Sequence, residues 1–369
     1  MNTTYEVWLS TSTGNRLALL DNFISLKYVR AQNAAGAFSV VLPPTIDRAL
    51  LRSDQMIEIW RSAEGQSAQL DFLGLIRQIQ TAEQNFIRTI TLSGEDGNSL
   101  LGDRIVAYAA NSAQAKVNGK ADNAMKLAVK ENMGASCTDT ERDLSAYGVT
   151  IAPYTSLGPT IERRYAWDCL INVLQDFADM AYEEGTRLYF DMVPRIVSNT
   201  QLAWQFETYI NQLGADRTYS SGNPTIFSSE WGNLVNPVLT DDWTSEKTCC
   251  YVGGKGEEEN RKVQEVQASN LINFSPWARR EFFYNAPNQT STTSALTKIG
   301  RRQLRMNRGR ALFTGQLLST PQTRYGIEWR MGDRVTASFD GRQFDGPVSP
   351  VSITVDRKGE KIDARLEVI

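Results

Sequence analysis

Histidine is absent from this chain of 369 residues. Without an imidazole there can be no Ser-His-Asp triad, no Cys-His pair and no His-ligated zinc. A basic excess is also missing, because 39 Lys and Arg stand against 42 Asp and Glu, for a net charge of -3. A dedicated nucleic-acid binder would carry a surplus of positive charge. The composition therefore argues against the common hydrolase mechanisms and against a nucleic-acid-binding protein.

Cysteine is scarce, with four residues in the whole chain: Cys137, Cys169, Cys249 and Cys250. Two of them are neighbours, which bridge only with severe strain, and no C-x-x-C spacing occurs. Structural zinc and thioredoxin-like redox chemistry are therefore not expected. We predict four buried or half-buried free thiols in a reducing compartment.

Long apolar runs are missing as well. No window approaches the roughly 18 apolar residues that a membrane-spanning helix needs. The first ten residues, MNTTYEVWLS, carry neither a basic region nor an apolar core, so we expect no signal peptide. These features predict a chain without a membrane span that is made in a cytosol-like setting. At 41% hydrophobic and 22% charged residues, it has the composition of a globular protein of two to four domains.

What the chain does contain, from residue 5 to about 110, is a series of short β-type runs separated by turn residues. They recur every 10–15 residues without intervening helices long enough for βαβ units, which favours an antiparallel barrel or sandwich. The predicted strands are Tyr5–Leu9, Arg16–Leu20, Ser25–Arg30, Gly36–Leu42, Met56–Arg61, Leu70–Gln80 and Phe86–Leu92.

A helical middle follows from residue 111. Apolar residues at helical spacing predict helices over Asn118–Met133 and from Tyr165 to Glu184, each ending at a glycine. Residues 135–160 are rich in Ser, Thr, Gly and Pro and indicate a long loop or short irregular strands. Two strands, Arg187–Val193 and Leu202–Tyr209, complete a small α+β unit.

A second β-rich region begins near residue 224. One helix, Thr293–Met306, interrupts it, with Leu296 and Leu304 on its inner face. The final run alternates between apolar and charged residues, as a half-buried strand does. The predicted strands are Lys247–Gly253, Lys262–Gln267, Arg310–Leu318, Asp333–Phe339, Val351–Asp356 and Ile362–Ile369.

The glycine-rich segment Gly253–Gly256 is the most conspicuous motif. It lacks the order of a phosphate-binding loop, and the acidic triplet Glu257–Glu259 after it would repel a triphosphate. We interpret the segment as a turn between two strands. A hard cation such as Ca²⁺ is the alternative ligand for the triplet, although consecutive strand residues point to opposite faces.

Carboxylate pairs are the acid/base chemistry that remains open to a chain without histidine. The candidates lie in polar turns or at helix ends, where a solvated role is the simpler interpretation: Glu95/Asp96, Glu183/Glu184 and Asp241/Asp242.

Tryptophans and arginines offer two candidate binding surfaces. Tryptophans could line a sugar-binding groove, but Trp60, Trp204 and Trp329 fall in strand-like runs, where packing is the default. The arginines of Arg301–Arg310, together with Lys298, could attract an acidic partner, and a solvated helix face is the simpler account.

Seven segments carry a recognisable pattern: Arg16–Asp21, Ser25–Arg30, Gly36–Ser39, Ile57–Arg61, Gly74–Arg77, Gly253–Arg261 and Tyr325–Val335. Together they resemble the tail-hub proteins of long-tailed, non-contractile bacteriophages. The turn reads GEEEN, where the family pattern leads one to expect a smaller residue after GE. The resemblance runs over nearly the whole chain.

The resemblance implies a baseplate-hub-like protein, mainly β with an α+β insert. Two tail-tube-like antiparallel β-barrel domains would be accompanied by a small α+β domain. The first barrel would span residues 1–110 and be completed by about 200–235, the insert 111–199, and the second barrel 236–369, with its helix at about 293–306.

The resemblance further implies a homotrimeric ring at the tail tip, in which six barrels continue a six-fold tube around the DNA exit channel. Its partners would be the tail tube or distal tail protein on one side and tip or fibre proteins on the other, with the tape measure protein as a further candidate. DNA would pass without specific binding. We expect a protein of the virion, assembled in the host bacterial cytoplasm.

The family supplies no catalytic, cofactor-binding or metal-ligating residue, so we predict a structural protein with no enzymatic activity. The Glu257–Glu259 turn would contribute to a mildly acidic channel that repels DNA. Two alternatives stay open. A receptor- or carbohydrate-binding module of a tail fibre would retain a soluble glycan, and a carboxylate-dependent cell-wall hydrolase would act on purified cell wall.

Overall fold

A computed structural model describes residues 3–63, 65–107, 115–198, 201–286 and 292–368. Strands make up 46% and helices 17% of the structure, so the predicted mainly β class with an α+β portion is confirmed. The strands are β1 (Thr4–Ser10), β2 (Arg16–Leu19), β3 (Ser25–Arg30), β4 (Ala37–Leu42), β5 (Met56–Ser62), β6 (Gln69–Gln84), β7 (Ile87–Asp96), β8 (Ala115–Lys120), β9 (Thr150–Ile151), β10 (Thr160–Tyr165), β11 (Leu188–Ser198), β12 (Gln201–Ile210), β13 (Asp216–Arg217), β14 (Ile226–Ser228), β15 (Leu234–Asp242), β16 (Cys249–Gly253), β17 (Val263–Gln267), β18 (Glu281–Asn285), β19 (Arg310–Leu317), β20 (Arg334–Phe339), β21 (Arg342–Asp356) and β22 (Gly359–Val368).

The α-helices are α1 (Ser99–Gly102), α2 (Ala121–Met133), α3 (Leu170–Glu183), α4 (Ser269–Ile272) and α5 (Thr293–Met306). Short 3₁₀ turns lie at Arg48–Leu50, Thr140–Arg142, Ser145–Tyr147 and Glu258–Asn260. Within the described parts of the chain, no helix has both the length and the apolarity that crossing a membrane requires.

The chain divides into two compact units. Unit 1 comprises Met1–Pro237 and Thr314–Leu366, and unit 2 comprises Val238–Phe313 and Glu367–Ile369. The predicted boundary at residues 110–111 and the predicted end of the insert at residue 199 lie outside the described residues. The three-domain division drawn from the sequence stays a prediction.

Unit 1 is built on an antiparallel sheet in which strands of both β-rich regions take part. Nine of its strands follow the order β22-β21-β3-β4-β7-β6-β5-β1-β2. β21 pairs with β3 with Ile353 opposite Tyr28, so a strand near the C-terminus lies beside one near the N-terminus. Among the described strands this order is an open path, and the two tube-type barrels stay a prediction.

Alternating burial explains why the N-terminal segments form strands. Leu26 and Tyr28 of β3 are fully buried while Lys27 between them is exposed, the two-residue period of a half-buried strand. Phe72 of β6 contacts Tyr28, with ring centroids 5.6 Å apart, and so joins neighbouring parts of one apolar core. The seven strands predicted between residues 5 and 92 are all present, with ends that differ by a few residues.

The long strand β21 pairs with different strands along its two halves, because it is irregular near its middle. Its first part, Arg342–Pro347, pairs with β20, and its second part pairs with β3 and β22. The register shifts between Val348 and Val351. β13 and β14 extend the first part as parallel neighbours of β20.

The α+β portion of unit 1 shares an apolar core with β5 and β6 of the main sheet, through Met56, Leu73 and Leu75. Helices α2 and α3 pack against two small sheets, β10-β8 and β11-β12-β9. The largest buried side chains of this core include Phe177, Phe190 and Phe206. Phe190 and Phe206 stack across β11 and β12 with centroids 6.2 Å apart.

Both predicted helices of this portion begin later than the sequence indicated. Asn118 and Lys120 pair with β10, so strand pairing takes the residues before Ala121. Tyr165 likewise ends β10, and α3 starts only at Leu170. Apolar periodicity does not distinguish a first helical turn from a short strand that leads into it. Gly134 follows α2 in an extended conformation rather than the left-handed one common after helices.

Unit 2 contains the sheet β17-β16-β18 and helix α5. The helix has the predicted bounds, and its Leu296 and Leu304 are buried with Cys250, Val252 and Val266 of the sheet. Gly300 allows this approach, because a Cβ atom there would lie 2.4 Å from Cγ2 of Val266. A larger residue would push the helix off the sheet.

Candidate functional sites

The acidic segment is a turn at the end of a hairpin in unit 2. Antiparallel β16 and β17 flank it, and the amide of Gly254 donates to the carbonyl of Lys262 over 2.8 Å. Gly256 and Glu258 have φ of 115° and 45°, and the acidic side chains are exposed. The structure thus agrees with the predicted turn between two strands. The described residues hold no group of three or more Cys, Asp or Glu side chains placed to bind a metal ion.

The three predicted carboxylate pairs are in different environments. Glu183 and Glu184 end α3, and Asp242 caps the following turn by accepting from the amide of Thr244 over 2.8 Å. Hydrogen bonds from Thr244 hold the pKa of Asp242 below its usual value. Glu95 is exposed near the end of β7. Asp242 thus acts as a cap, Glu95 and Glu184 are exposed, and Glu183 is half-buried at the end of α3.

Asp96 is the exception, since it is half-buried and belongs to a polar cluster that we did not foresee. It lines a cavity of about 20 Å³ together with Arg30, Asp71 and Asp191. Arg30 contacts an oxygen of Asp71 at 3.5 Å and one of Asp191 at 4.0 Å. The absence of a side chain at Gly36 leaves space for Asp96, because a Cβ atom on residue 36 would lie 2.5 Å from Oδ2 of Asp96.

Three carboxylates share this cavity with one guanidinium. Burial and the charge of Asp191 raise the pKa of Asp96 to about 7. Burial also raises the pKa of Asp191, against the opposing effect of Arg30. Both shifts have the sign that desolvation gives a carboxylate. A cavity of about 20 Å³ has room for a single water. It is therefore too small for a sugar to reach Asp96 of the predicted Glu95/Asp96 pair.

A local signal for the cluster exists in the sequence. Asp71 precedes Phe72 in an apolar strand run, and Asp191 lies between Phe190 and Met192, both buried. A carboxylate inside an apolar strand is uncommon unless it has a partner. The partner itself cannot be found this way, because Arg30 lies 41 positions from Asp71 and 161 positions from Asp191 in the sequence.

A second buried network joins strands from the two ends of the chain. Arg61 of β5 donates to Glu360 of β22 through Nε at 2.8 Å and Nη2 at 3.0 Å. Its Nη1 donates to the carbonyl oxygen of Tyr325 over 2.7 Å, and the hydroxyl of Tyr5 donates to Glu360. The burial of both charges makes this pair costly to break.

The three tryptophans predicted to pack differ in exposure. Trp329 is buried, its Nε1 donates to the carbonyl of Thr323 over 3.0 Å, and its ring lies edge-on to that of Tyr325, with centroids 4.9 Å apart. Trp204 is also buried. Trp60 is half-buried, and its Nε1 donates to Glu58 over 2.8 Å. The predicted packing role is confirmed for Trp204 and Trp329, whereas Trp60 also borders an open recess.

The cysteines lie as predicted, whereas the basic helix is only partly solvated. On α5, Arg301 is exposed, and Arg302 and Arg305 are half-buried. The four thiols are free: Cys137 and Cys169 are half-buried, and Cys249 and Cys250 are buried. Burial raises the pKa of Cys250 to about 11, so it stays protonated at neutral pH.

The hairpin of β6 and β7 projects beyond its neighbours. β6 pairs with β5 only up to Leu75, and β7 pairs with β4 only from Ile90 onwards. The ribbon between these limits, residues 77–89, is here called the arm. Apart from Ile79 and Thr89, which are half-exposed, its residues are exposed. A two-stranded ribbon of this kind is marginally stable in water by itself.

The tip of the arm carries an aromatic residue in a conformation that suits glycine. Asn85 and Phe86 have φ of 51° and 63°, both in the left-handed region of a type I′ turn. A residue with a Cβ costs roughly 1–2 kcal/mol there. Phe86 is nevertheless 98% exposed, and Ile87 next to it is 66% exposed. The tip therefore presents apolar surface at a strained position.

The architecture places the protein among phage tail folds. The 43 kDa tail protein of prophage MuSo2 from Shewanella oneidensis matches with a TM-score of 0.63 and 14% identity, over 98% of both chains. A tail protein from Neisseria meningitidis matches with a TM-score of 0.60 and 16% identity, over 98% of this chain and 96% of that one. Prophage tail protein gp18 from Listeria monocytogenes follows with a TM-score of 0.52 and 10% identity, over 98% and 94%.

The chain belongs to the Siphovirus ReqiPepy6 Gp37-like protein family, whose model matches residues 4–366. The resemblance to siphophage tail proteins found in the sequence is thereby confirmed. No curated protein matches the chain.

Proposed function

We propose that this phage tail protein forms the trimeric hub at the tip of the tail. In that position it joins the six-fold tail tube to the three-fold tip and lines the channel through which DNA leaves. Its two β-rich regions supply the tube-type barrels, residues 1–110 completed by 200–235 and residues 236–369, and 111–199 form the insert. Its role is structural and needs no chemistry of its own.

The observation that carries this proposal is that five of the seven segments that resemble tail hubs lie in one sheet, in β2 to β6. Within it, Lys27–Val29 of β3 pairs with Ala37–Ser39 of β4. Ile57–Arg61 pairs with the strand containing Gly74–Arg77, with Ile57 opposite Gly74. Consecutive segments of the resemblance thus form neighbouring strands of one framework. Such a match is expected when the resemblance reflects a shared architecture rather than chance similarity.

A contact from the last of these segments supports the same proposal. Arg61 donates to the backbone carbonyl of Tyr325, the first residue of Tyr325–Val335. Tyr325 and Trp329 of this segment are buried in unit 1. The proteins of similar fold are tail proteins as well, and their chains are matched over nearly their whole length. The segment therefore serves the framework that a hub requires.

The proposed partners follow from this position in the particle. The tail tube or distal tail protein would bind one face of the ring and tip or fibre proteins the other, with the tape measure protein as a further candidate inside the tube. Each contact within an obligate ring would bury well over ~2,000 Å². The chain would be assembled in the bacterial cytoplasm and reside in the virion at the tail tip.

Light scattering on the purified chain tests the proposal, followed by negative-stain imaging. We expect a species of three times the mass of the chain, with a central hole. Antibodies against the chain should label the tip of intact particles, away from the head. Particles labelled along the tail shaft, or at the head, would contradict the position at the tip.

The alternatives predict other results in the same preparation. A receptor-binding module would retain soluble host glycans on a column, and a hydrolase would release fragments from purified cell wall. A monomer with either activity would overturn the hub proposal in favour of that class. The hub proposal would stand if the chain is an inactive monomer that forms a ring only together with its tail partners.

A further inference from the structure

We propose that the joint between β11 and the main sheet of unit 1 is a proton-dependent latch, closed while Asp96 holds a proton and loosened when that proton leaves. The latch consists of Asn98, Asp96 and Asp191, and it connects the α+β portion to β7 of the main sheet. It is a property of the single chain, so it does not depend on the position of the chain in a tail.

Strand β11 lies at the edge of its small sheet, and two asparagine side chains take the place of a neighbouring strand. Asn33 accepts from the amide of Phe190 over 2.8 Å and donates to the carbonyl of Leu188 over 3.1 Å. Asn98 accepts from the amide of Met192 over 2.9 Å. Asn33 lies between β3 and β4, and Asn98 follows β7. These hydrogen bonds therefore hold the edge of β11 against segments of the main sheet.

The hydrogen bonds of Asn98 connect this edge to two carboxylates. Asn98 is buried, and its Nδ2 donates to Oδ1 of Asp191 over 2.9 Å. Its backbone amide donates to Oδ1 of Asp96 over 3.0 Å. One residue thus contacts a carboxylate from each side of the joint, Asp191 from β11 and Asp96 from β7. A change in the charge of either carboxylate therefore acts on the residue that holds the edge of β11.

The carboxylates at this joint outnumber the cations. Asp71, Asp96 and Asp191 line the cavity of about 20 Å³, and Arg30 is the single cation among the described residues around it. The ion-pair contacts of Arg30 reach Asp71 at 3.5 Å and Asp191 at 4.0 Å. Tyr28 also donates to Asp71 over 2.5 Å. Asp71 and Asp191 therefore have partners that stabilise a negative charge, and Asp96 is the carboxylate that keeps its proton.

Loss of the proton from Asp96 places a second negative charge opposite Asp191. Burial and the charge of Asp191 raise the pKa of Asp96 to about 7, in agreement with this assignment. The groups on the neighbouring elements do not offset the new charge. Glu207 of β12 is negative and paired with Arg195, and burial raises the pKa of Tyr325, which stays neutral. The repulsion is relieved when β11 moves away and water enters the cavity.

The loosening is confined to the edge of β11, because apolar contacts hold the rest of the α+β portion. Leu73 and Leu75 of β6 share one buried cluster with Phe177 of α3 and Phe206 of β12. These side chains do not titrate, so their packing does not change with the charge of Asp96. The latch therefore alters the local opening of one strand edge rather than the fold of unit 1.

Residue-resolved hydrogen exchange on the full-length chain tests the latch. Protection factors, which correct for the intrinsic rate of exchange, are measured for the amides of Phe190 and Met192 from about pH 5 to about pH 8. A carboxyl group whose pKa is higher in the closed state than in the open state makes opening easier as pH rises. We expect the protection of both amides to fall by at least about tenfold over this range.

Three variants assign the effect to its residues. In Asp96→Asn, which resembles the protonated acid and does not titrate, the protection of Phe190 and Met192 should not change with pH. Glu95→Gln is the matched control, because Glu95 is exposed on the same strand, and it should keep the wild-type fall. Asp191→Asn removes the charge that faces Asp96 and should move the fall to lower pH. It tests the latch independently if Asp96→Asn does not fold.

Low concentrations of urea separate local loosening from unfolding of the whole chain. Exchange through a local opening exposes little surface and should hardly respond to urea, whereas exchange through global unfolding accelerates. Tyr28 is the reference, because its strand lies between β21 and β4. Exchange at Phe190 that responds to urea as strongly as exchange at Tyr28 would overturn the latch.

Two further results would overturn the latch. One is protection of Phe190 and Met192 that is independent of pH in the wild type, and the other is a fall with pH that persists in Asp96→Asn. A urea-independent fall that disappears in Asp96→Asn and remains in Glu95→Gln would establish it. The trimeric hub is tested separately by mass and imaging, so neither proposal stands or falls with the other.

Discussion

Arg61 and Glu360 form a doubly hydrogen-bonded ion pair between residues 299 positions apart in the chain. Their side chains are 5% and 13% exposed. The pair connects β5, in the first β-rich region, with β22, close to the C-terminus, inside unit 1. This ion pair therefore joins β22 directly to β5, in addition to the strand pairing that places both in one sheet.

We expect Arg61→Ala to lower the free energy of unfolding by about 3 kcal/mol, because Glu360 and the carbonyl of Tyr325 would lose a buried donor. Urea denaturation measures this change. Lys361→Ala is the matched control: Lys361 is 52% exposed and paired with Asp363 at 3.0 Å. An exposed pair contributes about 0–1 kcal/mol, so equal losses in the two variants would contradict the importance of burial.

Asp96 should make the stability of unit 1 depend on pH. Its pKa is about 7 in the folded chain and about 4 in the unfolded one, so the stabilising contribution of its neutral form is complete below pH 4 and is lost as pH rises to 7. Asparagine resembles the protonated acid and does not titrate. We expect the free energy of unfolding of Asp96→Asn, relative to that of the wild type, to rise by roughly 2–4 kcal/mol from pH 4 to pH 8.

Urea denaturation at a series of pH values gives that difference directly. The matched control is Glu95→Gln, since Glu95 is the exposed neighbour of Asp96 on the same strand. Both variants are measured over the same pH range. A flat difference between Asp96→Asn and the wild type would mean that Asp96 is ionised in the folded chain throughout.

Gly300 should be intolerant of any side chain. Alanine there would bring its Cβ within 2.4 Å of Val266, which must move or displace α5. We expect Gly300→Ala to destabilise unit 2 by about 1–3 kcal/mol, measured by thermal unfolding. Adding Val266→Ala should recover part of the loss, because the two sites are in contact. Gly222→Ala, with no atom within 4 Å of the new Cβ, is the neutral control.

The acidic turn provides a test of the proposed channel. Replacing Glu257, Glu258 and Glu259 by lysine changes the net charge of each chain from -3 to +3. If this turn faces the channel, particles with the triple substitution should eject DNA more slowly, and raising the salt concentration should restore the rate. The matched triple glutamine variant should have a smaller effect. Ejection at the normal rate in the lysine variant would remove this turn from the channel wall.

Local patterns in the sequence predicted much of the fold. The bounds of α5, Thr293–Met306, were predicted at both ends. The alternation of Ile362, Ala364 and Leu366 with charged residues predicted β22, and these three side chains are buried. The free cysteines and the turn after Gly253 followed from residue types and spacing alone.

The sequence by itself determined the strands, the main helices and the resemblance to tail proteins, because these rest on the order and period of neighbouring residues. Only the tertiary structure decided which strands pair, which buried charges meet and which aromatic side chain is left outside. Tyr28 meets Ile353, and Arg30 meets Asp191, across distances in the chain that no local period encodes. Partners of that kind are selected by packing and by the electrostatics of burial, which depend on the whole folded chain at once.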